Sequence, residues 1–342
     1  MKKVRGLTVW SLIFTLIVLG LMFYLLKDVD FVFVWQLVKE IDSFYLGLAF
    51  VCQFLAFLVW NFRTRYSLKP ILDIGFFYSL KIIFVGLFFN LVTPGAGIGG
   101  EPVRAHYIGK KYNKPKTKVL GAILADKFFN LIIQIFFTLL SLFFILFFVK
   151  TTDFVETIVE FSLFTLVFLI ILTFILAYRR KSFELHLLFG FLYNFKFIRK
   201  RFKDRKEFNH YIRTGMGNIL KLFKKVVKNK KIFIYGLFTS IVYWILFFLT
   251  SYFVFLSFGG EPNFISIAIV VTLSYLIGYA SLIPGGIGLM EGVMFLLYSI
   301  LGIYPALAIL VALFSRIIFY FYGIVLGGIC TIYLEHKEGL FT

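Results

Sequence analysis

An apolar run that is broken from within by proline and glycine leaves a chain few ways to fold. The stretch from Asn90 to Arg104 begins inside such a run, passes through Pro94, Gly95, Gly97, Gly99 and Gly100, and then sets Glu101 and Arg104 three residues apart. Helix does not continue through it. Lipid offers no partner to the peptide groups this frees, so the segment must be buried in protein or line a wet cavity. Pro284, Gly285, Gly286 and Gly288 repeat the pattern 190 positions later, and Glu291 follows Pro284 at the same distance as Glu101 follows Pro94. Two such breaks in matching places point to a duplicated architecture.

With 61% apolar and 15% charged residues the chain is too hydrophobic for a soluble domain. Its 342 residues hold roughly six to eight spans of about 20 residues. Little is left for a soluble module, so any catalytic partner is expected on another chain. The expected fold is an all-α polytopic membrane protein, a single membrane domain over 1–342, with about six spanning helices and two re-entrant hairpins. A net charge of +19 would suggest nucleic acid in a soluble protein; here it follows membrane topology, and no nucleic-acid partner is expected. Cys52 and Cys330 sit in apolar runs without a CxxC spacing, and the four histidines are scattered. No metal, cofactor or catalytic residue is expected.

Basic clusters set the sides. Lys2, Lys3 and Arg5 precede a first span at 7–26, read as retained rather than cleaved, so the N-terminus is placed in the cytoplasm of a plasma-membrane protein. Two lysines and four acids at 27–42 suit the outer face, and the second span, about 44–62, ends inside at Arg63, Arg65 and Lys69. The next cluster, from Arg104 to Lys118, also votes for the cytoplasm. The apolar stretch between these clusters is too short to cross twice, which predicts a re-entrant hairpin at 71–103 with its tip at the proline-glycine break. Further spans are expected at about 119–149, 161–178 and 232–258, followed by a second re-entrant segment at 264–303 and a last apolar run at 306–334. Residues 179–231 carry seventeen Lys/Arg against three Asp/Glu, with apolar residues at helical spacing. They read as cytoplasmic amphipathic helices on anionic lipid, or as a solvated loop that fixes orientation.

The two halves, about 7–149 and 158–334, then enclose hairpins that enter from opposite sides, an inverted-topology repeat. Asp126 lies 32 residues after Pro94 and Arg316 lies 32 after Pro284, which suggests matching intramembrane charges.

The paired motifs, the acidic-basic pair Asp126-Lys127 and the run from Arg316 to Tyr322 resemble the transmembrane, flippase-like region of lysylphosphatidylglycerol synthases over nearly the whole chain. That resemblance implies a lipid translocator. It also implies no transferase activity, because in bifunctional members that chemistry belongs to a soluble aminoacyl-lipid synthase domain for which this chain has no counterpart.

From the residues themselves, glycines let backbone approach a ligand, and Glu101-Pro102 looks like a helix start with an anion site at its N-terminus and Arg104 one turn in. A lipid phosphate fits there, held between Arg104 and Arg316 at the two broken helices, with Glu101 and Glu291 keeping the guanidiniums placed when the site is empty. The alternative is a tightly packed hairpin with Arg104 snorkelling to the surface. Glu101 and Glu291 need partners at such depth; Arg104 or Lys127 and Arg316 are the candidates. Asn90 and Asn130 are expected to cap broken backbone or bond a head group. Three functions compete: a lipid flippase, a small-solute or ion secondary transporter, and a membrane subunit working with a separate aminoacyl- or glycosyl-lipid transferase. The expected partners are membrane lipids, anionic lipid at the basic segment, and a lipid-modifying enzyme; the sequence leaves oligomeric state open.

Overall fold

The computed structural model describes residues 31–93, 99–148, 204–261, 263–280 and 283–338. The spans expected at 7–26 and 161–178, the basic segment up to residue 203, and Pro94, Gly95 and Gly97 lie outside the described residues. The chain is an all-α polytopic membrane protein. Among the described residues, four helical stretches are long and apolar enough to cross a bilayer: Ser43–Leu68, Lys116–Phe148, Lys230–Ser257 and Pro305–Lys337.

A short helix α1 (Phe31–Lys39) leads into α2 (Ser43–Leu68), which starts where the Asp42 carboxylate accepts the Phe44 N–H at 2.8 Å. Its broadest partner is α7 (Lys230–Ser257), which begins where the Asn229 side chain accepts the N–H groups of Lys231 and Ile232. These two helices are antiparallel. The Asp42 N–H donates to the Ser257 carbonyl at one end (2.8 Å), and the Tyr66 and Tyr235 rings lie 4.4 Å apart at the other.

Between them in sequence come α3 (Phe76–Val92), α4 (Gly100–Lys111) and α5 (Lys116–Phe148), of 17, 12 and 33 residues. After α7 come α8 (Phe264–Ala280) and α9 (Leu289–Ile300), of 17 and 12 residues, separated by a single 3-10 turn at Pro284–Gly286. The last stretch, Pro305–Lys337, again has 33 residues. It is not one uniform helix: α10 (Pro305–Tyr320) and α11 (Gly327–Glu338) are joined by a π-helical turn, Phe321–Leu326. At about 1.5 Å per residue a 17-residue helix is roughly 25 Å long, short of the roughly 30 Å hydrocarbon layer.

α3 and α4 form an antiparallel hairpin. Asn90 Oδ1 accepts the Gly100 N–H at 2.6 Å near its tip, and the Tyr78 hydroxyl donates to the Tyr107 carbonyl at 3.3 Å near its base. The return arm runs on to Lys111 rather than stopping at 103. Close approach depends on glycine, because a Cβ on Gly100 would overlap the Gly86 carbonyl, and backbone gives way only at a cost. Gly100→Ala is therefore expected to destabilise the protein by about 1–3 kcal/mol. Gly47→Ala, on a helix face with nothing within 4 Å, is expected to be neutral or mildly stabilising. Thermal melting in detergent compares the two.

The described part of the amphipathic segment corrects one reading. α6 (Arg205–Lys228) is a helix as its periodicity predicts, yet its apolar stripe packs on protein. Phe208, Leu222 and Val226 are buried, Phe223 meets Phe128 of α5, and Ile219 lies against Gly121. Lys221, Lys224, Lys225 and Lys228 remain exposed.

Candidate functional site

The second broken segment packs against the end of α3. A Cβ on Gly285 would meet Leu91, so the second break lies against the last turn of α3, just before the first. Gly285, Gly286 and Gly288 have φ of +61°, +66° and +80°, left-handed conformations that side-chain-bearing residues rarely adopt, which explains the glycine-rich sequence here.

Opened peptide groups at this break are satisfied by ionised side chains. The Gly288 N–H donates to Glu291 Oε2 at 2.7 Å, and the Gly285 carbonyl accepts from Arg316 Nη2 at 2.8 Å. Arg316 also donates through Nε to Glu291 Oε1 (3.1 Å), through Nη1 to the Tyr275 hydroxyl and through Nη2 to the Tyr320 hydroxyl (both 2.8 Å). The Tyr320 hydroxyl in turn donates to Glu291 at 2.7 Å. Arg316 is thus a buried latch that holds the turn to α9 and α10, and its expected pairing with Glu291 is present.

The first break is held differently. Glu101 accepts from Lys127 Nζ at 2.9 Å, 26 residues away, as Glu291 accepts from Arg316, 25 residues away. Lys127, not Asp126, thus holds Glu101 as Arg316 holds Glu291. Asp126 belongs to another pair: it takes Arg63 Nε at 2.7 Å, Trp60 Nε1 at 3.0 Å and Thr64 Oγ1 at 3.0 Å. Arg63 also reaches Ser240 Oγ at 2.8 Å and Asn130 Oδ1 at 3.3 Å. Arg63 reads in the sequence as a cytoplasmic marker at the end of a span, but it is 3% exposed and lies inside α2.

Arg104 is the group that these pairings leave over. It is 2% exposed, so it does not snorkel to a surface. Its guanidinium donates to Thr64 Oγ1 at 3.0 Å and lies over the Trp60 ring at 5.1 Å, while its Nε has no hydrogen-bond partner. No carboxylate among the described residues is within ion-pair distance of it. Its aliphatic stem lies where a Cβ on Gly86 would be, so that glycine makes room for it. Glu101 Oε2, nearby, is also buried without a partner.

These groups surround a cavity of about 120 Å³ that both halves line. Asn90, Glu101, Arg104, Asp126, Lys127 and Asn130 come from the first half, and Tyr275, Gly285, Gly286 and Arg316 from the second. Four basic groups, Arg63, Arg104, Lys127 and Arg316, stand against three acids, Glu101, Asp126 and Glu291, counting the last through its bond to Arg316. Among the described residues these groups close three ion pairs, and Arg104 is the cation that remains.

Residues 9–327, which include all of these side chains, match the family described as the lysylphosphatidylglycerol synthase TM region. The chain belongs to this family. A UPF0104 membrane protein of Pyrococcus horikoshii is 29% identical over 301 residues, covering 86% of this chain and 88% of that one. A UPF0104 membrane protein of Methanocaldococcus jannaschii is 26% identical over 341 residues, 98% and 97% of the two chains. One of Methanothermobacter thermautotrophicus is 25% identical over 283 residues, 82% of each. In this lysylphosphatidylglycerol synthase TM protein, the residues around the cavity that the motifs alone did not disclose are Trp60, Arg63, Thr64 and Tyr275. One signal for the first three was available: Gln53, Trp60, Arg63, Thr64 and Ser67 recur at helical steps, a polar stripe within an apolar helix.

Proposed function

We propose that this protein moves a lipid with an anionic head group between the leaflets of the plasma membrane, and that Arg104 receives the lipid phosphate. One observation carries this reading: Arg104 is a buried cation facing the cavity, and among the described residues no carboxylate lies within ion-pair distance of it. Burying such a charge is costly unless an anion occupies the site for part of the working cycle. A guanidinium backed by an indole ring and fixed by one hydroxyl presents its remaining N–H groups in a fork that suits phosphate oxygens.

The matching helix lengths, 17, 12 and 33 residues after a long helix in each half, support an inverted repeat with two re-entrant hairpins around a shared site. We place the N-terminus in the cytoplasm, where the exposed lysines of α6 would face anionic lipid. The protein itself carries no transferase step in this reading; a separate lipid-modifying enzyme would supply the substrate.

Proteoliposomes with a fluorescent phospholipid in both leaflets test this. If the protein flips lipid, an impermeant quencher reaches nearly all of the label; in empty vesicles it reaches about half. Quenching that stays at the empty-vesicle level, together with uptake of a water-soluble anion, would replace lipid by a small solute as the substrate.

A further inference from the structure

Beyond Arg316, a second space of about 10 Å³ is lined on one side by Gln53, Thr250, Ser251 and Ser315 and on the other by apolar side chains that include Met294, with Tyr275 and Arg316 shared between it and the large cavity. Its size is close to that of one water molecule. Gln53 is 1% and Ser315 8% exposed, and neither Gln53 Nε2 nor Ser315 Oγ has a hydrogen-bond partner. Buried polar atoms are nearly always satisfied by protein or by ordered water, so two unpartnered ones on a single space call for a common ligand.

Arg316 supplies a third group. A guanidinium has five N–H donors, and Glu291, Tyr275, Gly285 and Tyr320 take four of them. The fifth is on Nη1, the nitrogen that bonds Tyr275. A water molecule accepting from Arg316 and Gln53 and donating to Ser315 would have the three bonds usual for a buried water.

The placement of this space along the bundle is fixed by two helices. Gln53 precedes Trp60 by seven residues on α2, and Thr250 follows Tyr243 by seven on α7; Trp60 and Tyr243 line the large cavity. At about 1.5 Å per residue each step is roughly 10 Å. Both steps point to the same end of the bundle, where Asp42 meets Ser257.

We propose that this space is a bound-water site, and that the Arg316–Tyr275 hydrogen bond is a partition separating it from the large cavity. The latch of the second break would then be hydrated on its far side and would divide one polar path into two compartments. This rests on reading the large cavity as part of a transport path, while the water site stands apart from which solute or lipid is carried.

Hydroxyl-radical labelling of the purified full chain tests it, because radicals form from water beside the side chain they oxidise. Met294 lines the small space and is 1% exposed; Met290 lines the large cavity. Met294 is expected to be oxidised despite its burial. Gln53→Leu, and independently Ser315→Val, should lower the Met294 rate several-fold and leave the Met290 rate unchanged, which also reports that the fold is intact. Tyr275→Phe removes the hydroxyl of the partition and should raise the Met294 rate several-fold. An inert Met294 in the parent, or a rate indifferent to Gln53→Leu and Ser315→Val, overturns the water site. A Met294 rate unmoved by Tyr275→Phe overturns the partition. Failure of lipid flipping in proteoliposomes leaves these rates as they are and bears on the transported substrate alone.

Discussion

Asp126→Ala is expected to cost about 3–5 kcal/mol of stability, the range for breaking a buried ion pair from one side. The carboxylate is 1% exposed and takes three hydrogen bonds, from Arg63, Trp60 and Thr64. Without it the Arg63 guanidinium keeps only neutral partners, Ser240 and Asn130, in a low-dielectric interior. The penalty comes from the abandoned charge more than from the lost contacts, so Arg63→Met combined with Asp126→Leu should recover much of the loss. Thermal unfolding in detergent, followed by tryptophan fluorescence, separates the variants. A double variant as unstable as Asp126→Ala would mean that the pair acts through shape rather than charge.

Arg104 and Arg316 should behave as opposites although both are buried arginines beside a broken helix. Arg104→Met removes a cation that has no carboxylate partner, so melting temperature is expected to hold or rise, the usual trade of stability against function at a site. Anion binding should weaken by about 2 kcal/mol or more, roughly 30-fold, and lipid flipping should be lost with it. Arg104→Lys keeps the charge without the fork and should fall between. Arg316→Met leaves Glu291 and the Gly285 carbonyl without their cation, so it should lower stability by about 3 kcal/mol or more. Equal melting temperatures for the two methionine variants would sink this division of labour.

Much of this was legible in the sequence for a physical reason. Proline and glycine inside an apolar run have no use in an uninterrupted span, so Pro284 to Gly288 announced a break, and Glu291 and Arg316 announced its charges. Arg63 was misread because a basic residue near the end of an apolar run is a good indicator of topology; only its register with Gln53, Trp60 and Thr64 distinguishes an inward-facing arginine from a solvated one. The pairing of Glu101 with Lys127, and not with Arg104, depends on how α5 sits against α4, which spacing along one strand of sequence does not fix. The stripe on α6 predicted a buried face correctly and could not say whether lipid or α5 would cover it.

The separations of the three ion pairs bear on how such a chain is made. Arg63 and Asp126 are 63 residues apart, Glu101 and Lys127 are 26 apart, and Glu291 and Arg316 are 25 apart. Each pair closes within its own half, whereas α2 finds its broadest helical partner in α7, across the midpoint. A nascent first half can therefore neutralise its own paired charges as soon as α5 has been synthesised, before any of α7 has left the ribosome. Of the buried cations described in that half, Arg104 alone is then without an ion pair, and no acid that arrives later in the described residues comes to pair with it. Translation order settles the paired charges of the first half early and leaves the one at the proposed phosphate position open.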